Sequence, residues 1–222
     1  MPAPRPTELR RVRERELVAA TRALFDERGM QDAPIEDIAR SVGIARGLIY
    51  RQFSSKEELF VLTVTDYLTE LGALLETAGG PDPDVLVRTE RCLQAYAGFC
   101  ERYPAFLDCS LSLMQRPARE LRDVVSDAVW LRLGQTMARC LGVVAGVLRD
   151  GAQAGVFAVE DPDYMANVLW TQMLGTMHLA RIGVGVRQLA PGLPGLFDVE
   201  PERLVRTCVD SALATLGVNR AG

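Results

Sequence analysis

The segment PIEDIARSVGIARGLIYRQF, residues Pro34 to Phe53, contains two short stretches of helical periodicity on either side of Val42-Gly43-Ile44. In the first stretch apolar residues recur three and four positions apart, which places them on one helix face. They are Ile35, Ile38, Ala39 and Val42. In the second stretch Ile49 and Phe53 stand four apart and share a face. Pro34 suits the first helical position because proline has no N–H to leave unpaired there. The segment therefore predicts a helix, a turn and a second helix.

This pattern is typical of a helix-turn-helix unit, which needs a glycine in the turn, a small residue at the helix crossing and apolar residues between the helices. Gly43 and Ala39 meet the first two needs. Isoleucines meet the third, and they are Ile38, Ile44 and Ile49. The second helix of such a unit enters the major groove of DNA with its N-terminal residues leading. The residues placed to meet DNA are then Arg46, Gly47, Arg51 and Gln52.

The residue types in this stretch suggest separate roles on DNA. Arginine, as at Arg46 and Arg51, can donate two hydrogen bonds to guanine, and Gln52 can pair with adenine. Tyr50 and Lys56 are better suited to phosphates. A helical corner with a purely structural role is the competing interpretation of the same spacing.

A second group of basic residues lies close to the N-terminus, interleaved with Glu8, Glu14 and Glu16. Its members are Arg5, Arg10, Arg11, Arg13 and Arg15. These arginines predict either an arm or helix end that reaches the DNA backbone or minor groove, or a solvated face of mixed charge.

The N-terminal 60 residues resemble the DNA-binding domain of the TetR family of transcriptional repressors, over about a quarter of the chain. The matching positions are Phe25, Gly29, Ile35, Ile38, Ala39, Gly43, Ile44, Gly47, Ile49, Tyr50, Phe53, Lys56, Glu57 and Leu59. The resemblance implies a homodimer that binds a palindromic double-stranded DNA operator. It also implies a C-terminal pocket for a small-molecule effector, whose binding changes the separation of the two recognition helices through the fourth helix.

Three positions depart from the pattern of the family. Ala33 stands where a threonine often caps the second helix and touches phosphate, so that this cap is lost or passes to Asp32. Ala45 stands where a serine usually caps the recognition helix. Leu48 replaces a small hydroxyl residue that often meets DNA, and it can instead contact a thymine methyl group. We expect the fold to tolerate these changes and the operator sequence to be unusual.

The rest of the chain continues in helical periodicity, and no segment shows sustained alternation of period two, so the predicted class is all-α. We predict a three-helix DNA-binding domain over residues 1–55 and a larger helical ligand-binding and dimerisation domain over residues 56–222. Within the second domain, one long helix is predicted from Ala118 to about Gly151 and a loop from Gly183 to Val199.

Aromatic and methionine residues in the second domain are candidates for the effector pocket, although most such side chains simply fill cores. They are Tyr96, Phe99, Tyr103, Phe106, Met114, Trp130, Met137, Trp170, Met173 and His178. The last two predicted helices, about Asp163 to Gly183 and Pro201 to Leu216, are apolar around much of their circumference. We expect them to form a four-helix bundle between two subunits.

Composition excludes several classes of protein. With a net charge of −4, 48% hydrophobic and 24% charged residues, the chain is typical of a globular protein. The uncharged stretch from Tyr164 to Ala180 is too short and too polar to span a bilayer, and the N-terminus shows no secretory signal. We therefore expect a cytoplasmic protein without a membrane partner.

The residues needed for most catalytic and metal sites are missing from the sequence. Its five cysteines are scattered and it has a single histidine, which argues against a zinc site or a multi-histidine metal site. It contains neither a Gly-x-Ser-x-Gly motif nor a P-loop. We expect a regulator with no cofactor, no metal and no enzymatic activity. The alternative is a helical small-molecule-binding protein that kept the fold and lost operator binding.

Overall fold

The computed structural model describes residues 6–30 and 33–218. Helices form most of this part of the chain, so the predicted all-α class is confirmed. The helices are α1 (Pro6–Arg28), α2 (Ile35–Ser41), α3 (Arg46–Gln52), α4 (Lys56–Ala78), α5 (Val85–Arg102), α6 (Pro104–Gln115), α7 (Ala118–Val124), α8 (Asp127–Gln153), α9 (Pro162–Ile182) and α10 (Pro201–Thr215). The strands are β1 (Val184–Ala190) and β2 (Leu193–Asp198). Within the described residues, no helix combines the length and the apolar character that crossing a bilayer requires.

The described residues separate into two compact units. The first runs up to Glu70 and includes Tyr103–Met137, and the second consists of Leu71–Arg102 and the described residues from Ala138 onward. Helices α4 and α8 contribute residues to both units. The domain boundary predicted after residue 55 falls at the start of α4. That it separates a DNA-binding domain from a ligand-binding and dimerisation domain stays a prediction.

In the first unit, α1, α2 and α3 pack around one apolar cluster to which each contributes a stripe of side chains. The buried members are Leu17, Val18, Leu24, Ile38, Ala39, Ile49, Phe53, Leu59 and Leu62. Burying a large apolar side chain stabilises a fold by about 1.5–3 kcal/mol relative to leaving it exposed. The periodic residues of the segment from Pro34 to Phe53 thus fix the three-helix arrangement.

Arg22 of α1 joins three segments of the first unit. Its guanidinium donates hydrogen bonds to Asp66, at 2.8 Å, and to Glu70, both on α4. The same group lies 4.3 Å from the ring centre of Tyr67 and 4.7 Å from that of Tyr103. Burial alone lowers the pKa of Arg22, but the bonds to the two carboxylates outweigh burial and raise the pKa above its ordinary value. Because the cation is enclosed in this way, α1, α4 and the residue before α6 are held in one arrangement.

The prediction of one helix from Ala118 to about Gly151 is wrong, because the structure divides this segment into α7 and α8. The backbone becomes extended at Val125, with φ −122° and ψ 139°. Ser126 follows, and its hydroxyl donates a hydrogen bond to the carboxylate of Glu58 on α4. The apolar periodicity continues across this break, so the pattern alone did not reveal it.

The prediction of a loop from Gly183 to Val199 is also wrong, because these residues contain the antiparallel hairpin β1–β2. Gly192 lies in its turn with φ 76°, a conformation that glycine adopts without steric cost. Alternation of period two is obscured in the sequence because Gly185 and Gly195 occupy strand positions without a side chain. The dipeptide Pro191-Gly192 between two apolar runs was the available signal for a turn.

Candidate nucleic-acid interface and apolar cavity

The segment from α2 to α3 has the geometry of a helix-turn-helix unit. Gly43 occupies the turn with φ 70°, a left-handed conformation that favours glycine. The amide of Ile44 donates a hydrogen bond of 2.9 Å to the carbonyl of Ala39, which closes the turn on α2. The unit therefore presents α3 at a fixed angle to α2.

Helix α3 has one buried face and one exposed face. Ile49, on the buried face, is 1% exposed and packs in the cluster with α1 and α2. The predicted DNA-contacting residues on its exposed face are Arg46, Gly47, Tyr50 and Arg51. Leu48 and Gln52 are half-buried at the edges of this face. The structure thus brings six of the nine predicted DNA-contacting residues together on α3.

The side chain of Arg46 contacts two neighbouring side chains on this face. Its guanidinium forms an ion pair with the carboxylate of Glu36 on α2 and lies 3.5 Å from the hydroxyl of Tyr50. The hydrogen bond with Tyr50 and the charge of Glu36 both raise the pKa of Arg46. An acidic residue thus pairs with the cation that the sequence predicts to read a base.

Gln52 connects α3 to α1. Its side-chain amide donates a hydrogen bond of 3.1 Å to the carbonyl of Arg10, and the Arg10 guanidinium donates to the carbonyl of Gln52 at 3.4 Å. Arginines 10, 11, 13 and 15 are exposed and belong to the first turns of α1. Arg5 lies outside the described residues. The arginine-rich end of α1 therefore lies beside the C-terminal end of α3.

Neither helix of the unit has a side-chain cap at its N-terminus. Ala45 is the N-cap of α3 and is exposed. Pro34, with φ −67° and ψ 152°, is the N-cap of α2 rather than its first helical residue. Ala33 is half-buried and packs against the apolar cluster, and Asp32, the alternative cap, lies outside the described residues. The free N–H groups at both helix starts stay available to other acceptors.

Lys56 is the exposed first residue of α4. The hydroxyl of Ser55 accepts a hydrogen bond of 3.0 Å from the amide of Glu58, so this helix does have an N-terminal cap. The positive end of the helix dipole adds to the charge of Lys56, and both favour an anion.

The second unit contains an apolar cavity among residues of α4, α5, α8 and α9. Its volume is about 30 Å³, the space of one or two water molecules. Three predicted pocket residues line it, namely Tyr96, Trp170 and Met173. The lining residues that the sequence did not indicate include Leu75, Thr89, Cys92, Val147, Leu148 and Leu169. Apart from Thr89 these are ordinary apolar helix residues, and only their helical register with Tyr96 and Trp170 could have suggested them.

The polar groups of the cavity lining are either hydrogen-bonded within the protein or carry no charge. The rings of Tyr96 and Trp170 meet edge to face with 4.9 Å between their centres, and burial raises the pKa of Tyr96. Thr89 donates its hydroxyl hydrogen to the carbonyl of Val85 at 2.7 Å. Burial raises the pKa of Cys92 to about 11, which keeps the thiol protonated. Within the described residues, no charged side chain lines this cavity.

The other predicted pocket residues lie elsewhere. Tyr103 and Phe106 pack against Tyr67 in the first unit, with ring centres 5.9 Å apart in each pair. Met114 is exposed, Trp130 and Met137 are half-buried in the first unit, and Phe99 is buried on α5 away from the lining. His178 is half-buried on α9, where its Nδ1 has no hydrogen-bond partner among the described residues.

The N-terminal unit matches a known family. Residues 17–62 match the family model of bacterial regulatory proteins of the tetR family. Over 60 residues, 27% of this chain, the sequence is 37% identical to the HTH-type transcriptional regulator BetI 2 of Chromohalobacter salexigens and 38% identical to BetI of Escherichia coli. These matches cover 29% and 31% of the two regulators, so the chain spans about three tenths of the length of these curated relatives.

Solved structures resemble the chain over nearly its whole length. The TetR-family regulator PfmR of Thermus thermophilus has a TM-score of 0.62 and 20% identity, and the match covers 95% of this chain and 98% of PfmR. RolR, solved in complex with the ligand resorcinol, has a TM-score of 0.68 and 18% identity, and the match covers 97% of this chain and 92% of RolR. At these identities the likeness establishes a shared fold.

Proposed function

Since the N-terminal domain of this chain belongs to the tetR family of bacterial regulatory proteins, we propose that the chain is a ligand-responsive transcriptional repressor. In this role it binds a palindromic DNA operator as a homodimer, and a small molecule in the second unit modulates binding. We assign it no catalytic activity and place it in the cytoplasm, where bacterial DNA lies. The observation that carries the proposal is the exposed face of α3 on a complete helix-turn-helix unit.

The exposed face of α3 has the chemistry that major-groove recognition requires. Arg46 and Arg51 offer paired donors for guanine, and Gly47 allows close approach because no side chain stands between the helix and a base. Lys56 at the start of α4 is suited to a phosphate on the flanking backbone. The residues proposed to read DNA bases and the residue proposed to contact the DNA backbone thus lie on adjacent helices, α3 and α4.

The homodimer is proposed to form through α9 and α10. The exposed stripe of α9 that contains Asn167, Thr171, Gly175 and Leu179 carries no charge, although the helix lies at the surface. Gln172 on α9 donates a hydrogen bond of 3.0 Å to the hydroxyl of Ser211 on α10, which joins the two helices beside this stripe. An uncharged helix surface with a glycine at its middle and a leucine at its end suits close packing against its own copy.

The effector is proposed to be a small, uncharged and largely aromatic molecule. The lining of the cavity offers ring edges and apolar carbons, and a buried charge without a partner there would be costly. RolR, which shares the fold, was solved with resorcinol, a small uncharged ring. A cavity of about 30 Å³ must widen to admit such a molecule. Leu75 lines the cavity and lies on α4, the helix that begins at Lys56, so widening can displace the helix that carries the phosphate contact.

The DNA-binding role is tested by selecting sequences from a random duplex library at physiological salt and then titrating the selected duplex. Enrichment of a palindrome with half-sites about one helical turn apart supports a dimeric repressor. Binding that is sensitive to salt and blind to sequence contradicts it. That second outcome favours a small-molecule-binding protein that lost operator recognition, as the missing caps at Ala45 and Pro34 would suggest.

The effector class is tested by fluorescence in the variant Trp130→Phe, where Trp170 is the one tryptophan left of the two in the sequence. We expect resorcinol and phenol to change its emission saturably and benzoate, a charged ring of similar size, to have no effect. Ala166→Leu, which fills the cavity, is expected to abolish the response, whereas Ala138→Leu at an exposed position of α8 keeps it. An equal response to benzoate, or a response that survives Ala166→Leu, contradicts the assignment.

A further inference from the structure

The hairpin β1–β2 between α9 and α10 is exposed along almost its entire length. At its base the amide of Val199 donates a hydrogen bond of 2.8 Å to the carbonyl of Gly183. A two-stranded hairpin that is solvated on both faces is marginally stable in water. The hairpin is therefore expected to gain stability from something that covers it.

On one face of the hairpin two large apolar side chains lie over glycines of the opposite strand, and they are 42% (Phe197) and 57% (Leu189) exposed. The ring of Phe197 lies over Gly185 on the opposite strand, so close that an added Cβ at this glycine would be 2.3 Å from a ring atom. Leu189 lies over Gly195 in the same way, at 2.6 Å. Both glycines thus provide room for a large apolar side chain from the other strand.

The opposite face carries the two most exposed apolar side chains of the hairpin. Val186 and Leu196 are directly opposed across the strands and are 72% and 66% exposed. Val184, on the same face, is 39% exposed. Charge on this face is confined to Asp198 at the base of the hairpin. This face therefore exposes adjacent apolar side chains with little charge beside them.

The area of this face indicates what covers it. Three exposed side chains offer on the order of 300 Å² of apolar surface, whereas a stable interface takes roughly 800 Å² from each partner. The hairpin alone is thus too small to hold a partner. Along the chain it follows Leu179 and Ile182, the exposed apolar residues at the end of the uncharged stripe of α9. The hairpin face therefore continues the uncharged surface of α9 along the chain.

We propose that the hairpin is a dimerisation arm, whose face of Val184, Val186 and Leu196 packs against a second copy of this chain. This inference rests on the homodimer proposed above and adds a second contact to its helical surface. In a two-fold symmetric dimer the contact made by the arm of one subunit is repeated by the arm of the other. The dimer therefore buries two copies of this apolar face. A membrane is the less suitable partner, because Arg187 is the one basic residue of the hairpin and lies on its other face.

The arm is tested with two variants that place the same new residue on opposite faces. Val186→Asp puts a carboxylate into the proposed contact. Arg187→Asp puts one at the adjacent position of β1, which points to the other face of the hairpin. By sedimentation equilibrium we expect Val186→Asp to raise the dimer dissociation constant at least tenfold and Arg187→Asp to change it less than twofold. Because valine is a better strand former than arginine, hydrogen exchange of residues 185–198 in both variants, below the dimer dissociation constant, checks that the hairpin still forms in each.

Hydrogen exchange of the unmodified chain provides a second measurement. Amides of residues 185–198 are expected to exchange more slowly above the dimer dissociation constant than below it. A wild-type dimer that Val186→Asp leaves intact, with exchange independent of concentration, overturns the arm and leaves the homodimer standing. A wild-type chain that stays monomeric at all concentrations overturns both.

Discussion

Arg46 at the start of α3 is paired with Glu36 on α2, so the arginine best placed to read a base is bound to a carboxylate before DNA arrives. Both side chains are about half exposed, which allows the pair to open. If Arg46 contacts DNA as proposed, binding exchanges this carboxylate for a base or phosphate. We therefore expect the ion pair to lower the affinity for every DNA sequence, and to lower it least for sequences whose bases or phosphates replace the carboxylate well.

Glu36→Gln is therefore expected to strengthen DNA binding. Loss of the carboxylate frees Arg46 and removes a negative charge beside the proposed interface, for a gain of roughly two- to fivefold at an exposed pair. Fluorescence anisotropy with operator and scrambled duplexes measures the effect, and scrambled DNA should gain at least as much. Glu120→Gln, at an exposed position of α7, serves as the control. Weaker binding by Glu36→Gln would show that the pair positions Arg46 productively.

Lys56→Ala is expected to weaken binding to all duplexes alike. A phosphate contact carries no sequence information, and its loss lowers the slope of log K against log salt by about one. Titrations at several salt concentrations give that slope. The helix should persist in the variant because its cap is Ser55 and not Lys56. An unchanged slope contradicts the phosphate contact.

Glu58→Gln is expected to destabilise the first unit. Glu58 accepts hydrogen bonds from Ser126 and from the amide and hydroxyl of Ser54 while only 6% exposed. An amide group in its place leaves one of these donors unpaired, at a cost of about 1–3 kcal/mol. Urea unfolding at neutral pH measures the loss.

The same substitution has a defined pH dependence. Burial raises the pKa of Glu58, but the hydrogen bonds from Ser126 and Ser54 outweigh burial and lower it below its ordinary value of 4.5. The stabilisation from this carboxylate is therefore complete above pH 4.5 and is lost as the pH falls through the lower native pKa. The difference in stability between wild type and variant should shrink on acidification. A constant difference would contradict the assignment.

Two glycines of α8 are expected to respond oppositely to alanine. A Cβ at Gly151 would lie 2.1 Å from the ring of Phe157, so Gly151→Ala should destabilise the second unit by about 1–3 kcal/mol. At Gly142 nothing lies within 4 Å of the added carbon, so Gly142→Ala should stabilise by roughly 0.5–1 kcal/mol through helix propensity. Thermal unfolding of both variants measures these changes, and an equal shift of the two melting temperatures would contradict the packing at Phe157.

The helix-turn-helix unit could be predicted because its signals are local. Gly43 and the apolar spacing from Ile38 to Ile49 each act within a few residues, and both have the predicted place in the fold. The break before α8 could not be predicted in this way. It is held by the hydrogen bond between Ser126 and Glu58, which are 68 positions apart.

Only some of the residues that line the cavity could be predicted, because the lining also depends on contacts between residues far apart in the sequence. Tyr96 and Trp170 are conspicuous residues and do line it, but Leu75 and Ala166 differ in no local respect from core residues elsewhere. Tyr103 has the same aromatic character as Tyr96, yet it stacks on Arg22 in the first unit. Which aromatic residue faces a cavity depends on how helices pack, and periodicity within one helix does not contain that information.

The tightness of the cavity has a kinetic consequence. With about 30 Å³ inside, the proposed effector can enter only when the side chains around Tyr96 and Trp170 move apart, and we expect the packing of the protein to set how often that opening occurs. As the effector concentration rises, the rate of complex formation should level off at this frequency instead of increasing in proportion. The speed with which such a regulator responds would then be set by the packing of its own helices, whatever the abundance of its effector.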